Sequence, residues 1–462
     1  VKRPQHNPRL NLLAAMIPRG NIYDRNGILL ATSSWQELER HRAERERLGV
    51  SRDENTSHVD ARYYPFGAAT VQLLGDLRTG ERFHATNASL VEHDSNKKLQ
   101  GFSGVQELAA VVRYRHQKDN PALQTLLNRD RDVHTTLDMR LQLKLLDLAG
   151  AHASQRGAAV IMNARTGDLL ALVSWPTSGG AGAEADELDR ARYGEYPPGS
   201  TFKLVTAIAA LRADPNAAQR TFSCRRLGDG RAGTAIPGWR RPIRDDVGDR
   251  VHGTLNMGQA ITVSCNAYFA QLGVFAVGSK ALRETAALLG INAGTEAQVK
   301  QMLPFAAYGQ GAVVTTPLKM VRVAATIAAN GVMPEGRWVL DGSDGRTALP
   351  ATIISPTAAT FLGNSMRSVV TSGTARAAMT GLAVPVAGKT GTAQLGQGEP
   401  HSWFAGFAPF DAPIGERIAF AVVVEHGGYG AKTAAPIARQ IVEAAAQLGI
   451  ISKSLGVKQP AP

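Results

Sequence analysis

Cysteine is nearly missing from this chain. Its 462 residues hold two, Cys224 and Cys265. Neither lies in a C-x-x-C motif or a Cys/His run, which argues against a disulfide framework and against a structural zinc site. No metal or cofactor is therefore expected. Long apolar runs are missing too. The stretch LNLLAAMIP falls well short of the roughly 20 residues that cross a bilayer. The chain opens on Val1 rather than Met, so a single N-terminal membrane anchor preceding it is expected, with the remainder outside the cytoplasm. Aromatic residues are sparse at 6% and the basic residues are scattered. That excludes a nucleic-acid groove, where basic and aromatic side chains cluster. The net charge of +12, spread in this way, suits a domain facing anionic polymers or a membrane surface. A hydrophobic share of 44% against 19% charged residues is globular and supplies one large or two ordinary domains.

What is present divides near Thr135. Before it the chain is polar and loosely patterned: WQELERHRAERERLG reads as a charged helix, TNASLVEHDSNKKLQG as an exposed loop. After it, TTLDMRLQLKLLDLAG has a capping start and leucines at helical spacing. The expected division is a non-catalytic domain over 1–135, a second domain over 136–452 and a flexible tail over 453–462. GAAVIMNARTGDLLALVSW holds two β-rich runs joined by Ala-Arg-Thr-Gly, an antiparallel hairpin. Far downstream, VPVAGKTGTAQ, SWFAGFAPF and RIAFAVVVEHG supply three further strands. Helices are expected between them over 201–211, 254–273 and 280–289, and in TTPLKMVRVAATIAANG. Strands at both ends enclosing helices imply one sheet built from distant segments, an α+β fold.

The stretch EYPPGSTFKLVTAIAAL places Ser200 three residues before Lys203 at the head of an apolar helix. The plain reading is a helix cap, for which Ser is well suited. The chemical reading is a nucleophile with its base one turn away, since positions i and i+3 share a helix face. Two later clusters bear on the choice. TVSCNAYFAQLG offers Ser264 and Asn266 in an S-x-N arrangement, and AGKTGTAQ offers Lys389, Thr390, Gly391 and Thr392 on a candidate edge strand.

In this order, S-x-x-K, S-x-N and K-T-G resemble the signature of penicillin-binding proteins and class A β-lactamases. The chain is similar to class B penicillin-binding proteins over nearly its whole length. RGNIYDRNGILLATS resembles the N-terminal signature of that class, and RYYPFGAATVQLLG and GFSGVQEL resemble its pedestal motifs. YGQG at 308–311, VVTSGTARAA at 369–378 and HSWFAGFAP resemble further family segments. The resemblance implies a penicillin-binding transpeptidase domain, an antiparallel sheet flanked by helices, on a small extended N-terminal pedestal. The segment between the N-terminal signature and TTLDMRLQ is shorter than such a pedestal usually is.

The implied activity is a peptidoglycan D,D-transpeptidase that cross-links stem peptides ending in D-Ala-D-Ala and is acylated by β-lactam antibiotics. Ser200 would attack the penultimate D-alanine carbonyl and Lys203 would take its proton. Ser264 would relay a proton to the leaving amine, with Asn266 holding the substrate backbone and Lys203. Lys389 would meet the substrate carboxylate, helped by Thr390 and Thr392, while Gly391 would let an extended peptide lie against the strand. The backbone N–H groups of Ser200 and Thr392 would form the oxyanion hole. A membrane-embedded glycosyltransferase and other envelope-synthesis proteins are the implied partners. His401 is read as structural or as part of the rim, Cys265 as a small buried filler, and TSGGAGAEADELDRARYGE as a flexible rim. A β-lactamase or β-lactam sensor of the same fold, and a non-catalytic envelope scaffold, remain the alternatives.

Overall fold

The computed structural model describes residues 17–50, 57–59, 62–75, 90–102, 105–114, 116–152, 154–176, 188–342 and 350–452. The tail over 453–462, most of the expected rim (177–187) and residues 86–89 of the expected loop lie outside them. The chain divides into two compact units, Val1–Arg140 with Arg337–Ala348, and Leu141–Gly336 with Leu349–Pro462.

In the first unit the RGNIYDRNGILLATS motif makes the strands Ile22–Tyr23 and Leu29–Ala31, which pair antiparallel, and Val133–His134 joins the first of them in parallel. Asp24 fixes the turn. Its buried carboxylate accepts the backbone N–H groups of Asn26 at 2.7 Å, Ile28 at 2.9 Å and Met139 at 3.0 Å. The polar patterning of this region misleads in two places. Residues from Leu90 onward are not loop but two short helices, Val91–Asp94 and Asn96–Gln100. They are held because Glu92 is buried between Arg62 at 2.6 Å and Arg19 at 2.7 Å. The charged helix is likewise two pieces, Trp35–Arg40 and Arg42–Arg47, parted at His41.

The second unit is built on a five-stranded antiparallel sheet. Its strands are β1 (Gly157–Asn163), β2 (Leu169–Trp175), β4 (Ala387–Ala393), β5 (His401–Ala408) and β6 (Ile418–Val424), in the order β4-β5-β6-β1-β2. The expected hairpin and the three late strands thus meet along β6 and β1, with Val422 opposite Ala159. The strands carry continuous apolar runs because helices cover the sheet, and β2, β5 and β6 are buried at every position. A small four-stranded sheet stands apart, with β3 (Phe222–Arg226) flanked by Ala232–Thr234 and Gly253–Leu255. The helices that matter below are α1 (Lys203–Ala213), α2 (Met257–Val263), α3 (Asn266–Leu272), α4 (Pro317–Ala328), α5 (Pro356–Thr371) and α6 (Ala434–Gln447). The expected single helix over 254–273 is in fact α2 and α3. Ser264 adopts a left-handed conformation at φ 61° and ψ 35°, which ends α2, and Cys265 caps α3.

Candidate active site

Ser200 lies in a 3₁₀ turn, Gly199–Phe202, that runs straight into α1. In such a turn residues i and i+3 stand one above the other, so Ser200 and Lys203 share a side. The turn is pressed between two neighbours. Gly199 has φ 51°, and a Cβ there would lie 2.5 Å from the Thr392 carbonyl oxygen. Gly309, from the YGQG segment, has φ 81°, and a Cβ there would lie 2.2 Å from the Gly199 oxygen. Lys203 is fully buried.

The Lys203 ammonium donates to the Ser264 backbone oxygen, to Ser264 Oγ at 3.2 Å and to Asn266 Oδ1 at 2.7 Å. It also faces the rings of Phe269 and Tyr308 at 5.8 and 5.9 Å. Burial pulls its pKa down to about 8, against the opposing pull of Asp245. The helix break at Ser264 and Cys265 is what lets one short segment present a backbone oxygen, a hydroxyl and an amide to the same nitrogen. A non-glycine residue at positive φ is costly and is found where surrounding structure enforces it.

The third motif lies on the edge strand β4. Lys389, also fully buried, donates to Ser264 Oγ at 2.8 Å and to the Thr390 oxygen at 3.0 Å. Burial, then the neighbouring Lys203 charge, hold its ammonium well below the usual lysine range. The three residues that follow Lys389 have partners within the chain. The Thr390 hydroxyl is bonded to that of Thr374 at 2.6 Å, and Thr392 Oγ1 accepts the Gly430 N–H at 3.4 Å. Gly391 makes room for the nucleophile turn, since a Cβ there would lie 2.9 Å from Thr201 Cγ2 and 3.0 Å from the Pro198 oxygen. The nearest atom to that Cβ would be Trp403 Cβ on β5, at 2.8 Å. His401 is buried, accepts the His426 backbone N–H at 3.1 Å and stacks edge-on with Tyr196, a structural placement.

Behind the S-x-N segment lies a group that sequence reasoning missed. Cys224, Asp245, His252 and Cys265 bring their ligand atoms within 4.8 Å of one another. Asp245 Oδ2 accepts from the Cys224 thiol at 3.1 Å and from that of Cys265 at 3.4 Å, while Oδ1 accepts the Asn266 and Ala267 backbone N–H groups. His252 Nδ1 is buried 3.2 Å from Asp245 Oδ2 without a hydrogen bond. Two thiols, an imidazole and a carboxylate are a donor set that suits a tetrahedral divalent ion such as Zn²⁺. The four residues come from a strand, two loop positions and a helix cap. No local spacing records them. Cys265 is more than a filler, since its sulfur also accepts the Tyr268 N–H at 3.4 Å.

An edge strand bearing K-T-G, a buried S-x-x-K turn and an S-x-N break around one lysine define a penicillin-binding transpeptidase site. The chain belongs to that family, the penicillin binding protein transpeptidase domain matching residues 157–443. Within it the chain is a class B penicillin-binding protein. It is similar to the peptidoglycan D,D-transpeptidase PbpA of Mycobacterium tuberculosis, 30% identical over 375 residues that span 69% of this chain and 73% of that one. It is 25% identical to the peptidoglycan D,D-transpeptidase MrdA of Salmonella typhimurium over 482 residues, 83% of this chain and 72% of that one. Among solved structures it resembles the penicillin G acyl-enzyme complex of penicillin-binding protein A from M. tuberculosis. There the TM-score is 0.67 and the identity 26%, with 93% of this chain and 99% of that chain covered.

Proposed function

We propose that this protein is a serine peptidoglycan D,D-transpeptidase whose nucleophile is Ser200 and whose base is Lys203. The observation that carries the reading is the position of Ser264 Oγ, 3.2 Å from one buried ammonium and 2.8 Å from the other. A hydroxyl held between two lysines is a proton relay. With its pKa near 8, Lys203 is partly neutral at physiological pH and accepts the Ser200 proton as Oγ attacks the penultimate D-alanine carbonyl. The C–N bond then breaks, and the D-alanine amine leaves with a proton passed through Ser264. An acceptor amine from a second stem peptide completes the transfer by displacing Ser200. Asn266 holds Lys203 in register.

The N–H groups of Ser200 and Thr392 receive the developing oxyanion, for which the contact of Gly199 with Thr392 is the support. Loss of one such donor typically costs about a hundred- to a thousandfold in rate. Lys389 answers the substrate carboxylate, whose arrival supplies the countercharge that burial withholds from its ammonium. Thr390, Gly391 and Thr392 act as its frame. β-Lactams acylate Ser200 in place of the stem peptide.

A transpeptidase of this kind works outside the cytoplasm on strands polymerised by a glycosyltransferase, which we propose as a partner, and a membrane anchor fits that setting. Among the described residues no helix is long and apolar enough to cross a membrane. The decisive experiment is intact mass after incubation with benzylpenicillin. One adduct is expected on the wild type and none on Ser200→Ala; an adduct on the variant would remove Ser200 from the mechanism. Repeated rapid turnover of a chromogenic cephalosporin would instead favour a β-lactamase.

A further inference from the structure

We infer that Glu425 is a positioning residue for the nucleophile turn, acting through Tyr196; this rests on Ser200 being the nucleophile, as proposed above. Glu425 stands directly after β6, and its backbone N–H donates to the Arg156 oxygen at 2.7 Å, so the sheet carries its carboxylate. One oxygen of that carboxylate, Oε1, accepts from both the Tyr196 hydroxyl and Arg190 Nε, each at 2.7 Å. The Arg190 side chain is 3% exposed and that of Glu425 16%. Both bonds are thus made largely out of water, where a charge-assisted hydrogen bond is stronger. The chain turns sharply beyond Glu425. His426 has φ 51° and gives its N–H to His401 Nδ1, a costly conformation that persists where the surroundings enforce it.

Tyr196 is fastened by its backbone as well as its hydroxyl. It exchanges both backbone hydrogen bonds with Thr315 at 2.9 Å, and its ring stands edge-on to those of His401 and Trp403. Between it and Ser200 lie Pro197, Pro198 and Gly199. Each proline has a locked φ and restricts the residue before it, so this link passes a displacement on rather than absorbing it. The Trp403 indole N–H holds the Pro197 oxygen at 3.0 Å. Gly199, the one residue of the link with freer torsions, is wedged between Thr392 and Gly309. A shift of the Tyr196 ring therefore reaches the hydroxyl and the N–H of Ser200. Neither Glu425 nor Tyr196 has a step in the acyl transfer; their part is to fix where the attack begins.

The test measures benzylpenicillin acylation by the full chain, separating the dissociation constant from the rate of the chemical step, with hydrogen exchange read by mass spectrometry over 195–202. Tyr196→Phe keeps the ring and loses only the hydroxyl. Its chemical step should be about tenfold to a hundredfold slower, the cost of a misplacement of up to about 1 Å. The dissociation constant should be unchanged, one adduct per chain should still form at completion, and exchange over 195–202 should be faster. Glu425→Gln keeps an oxygen that accepts from Tyr196 and loses the charge facing Arg190. It should melt at a lower temperature yet acylate close to the wild-type rate. Glu425→Leu should be slowed like Tyr196→Phe, and the double variant should be no slower than Glu425→Leu alone, because one bond is removed twice.

An undiminished chemical step in Tyr196→Phe would overturn the inference. So would a loss confined to melting temperature or to the final extent of labelling, which is what a merely structural bond gives. Equal slowing of Glu425→Gln and Glu425→Leu would assign the effect to charge and overturn it as well. Should Glu425→Leu not fold, the other two variants decide. Wild type that takes up no penicillin refutes the proposed function instead; exchange over 195–202 then reads the fastening by itself, and equal exchange in wild type and Tyr196→Phe overturns the inference.

Discussion

Two buried ammonium groups around one hydroxyl repel each other, so the charge state of Lys203 and Lys389 sets how the site works. The Lys203 pKa lies below its ordinary value, so the charged form is the disfavoured one, and lowering the pH through about 8 protonates the base. Acylation should therefore rise with pH, about tenfold per unit below that value, and level off above it. A flat rate between about pH 6 and 9, followed by mass spectrometry, would take Lys203 out of the base role. Asn266→Ala removes the acceptor at 2.7 Å and should slow acylation about a hundredfold with circular dichroism unchanged. At this scale the site was legible wherever its chemistry is local: Ser200 and Lys203 are one turn apart, and Ser264 and Asn266 flank a single residue. Cys224, Asp245 and His252 were not. Each is an ordinary residue in its own stretch, and only the pairing of β3 with Gly253–Leu255 and the entry into α3 bring them together.

Among the elements, the nucleophile turn depends on glycines that lie far from it in sequence. Gly309→Ala would set a Cβ 2.2 Å from the Gly199 oxygen at φ 81°. It should cost about 1 to 3 kcal/mol and slow acylation, read by thermal melting and penicillin labelling. Gly228→Ala, whose Cβ would meet nothing within 4 Å, is the control and should change neither. The sheet was readable because each strand is a clean apolar run between turn residues. The break between α2 and α3 was not, because TVSCNAYF keeps an unbroken helical pattern while a single residue, Ser264, takes the left-handed conformation. Periodicity registers stretches, and a one-residue event leaves no trace in it. The helices around Glu92 were missed for a related reason: they are held by a buried ion pair, and a pattern of polar residues does not reveal which of them is inside.

For the molecule as a whole, Glu92 offers a test of how separately the two units are stabilised. Glu92→Ala leaves Arg62, which is wholly buried, without its carboxylate, and such a loss costs about 3 to 5 kcal/mol. Thermal melting should show one transition lowered, while penicillin labelling of the second unit keeps its rate. A labelling rate that falls together with the transition would show that the units do not stand alone. The first unit is also discontinuous. Thr135 bridges Val339, the Thr136 hydroxyl donates to the Arg337 oxygen across 201 residues, and Leu340 donates to the His134 oxygen. During synthesis, residues emerge at about 5 to 20 per second, so this stretch of the first unit waits on the order of 10 to 40 seconds for its partner. Of the two units, the one whose synthesis begins earlier is thus the one that can be finished only after most of the catalytic unit has been made.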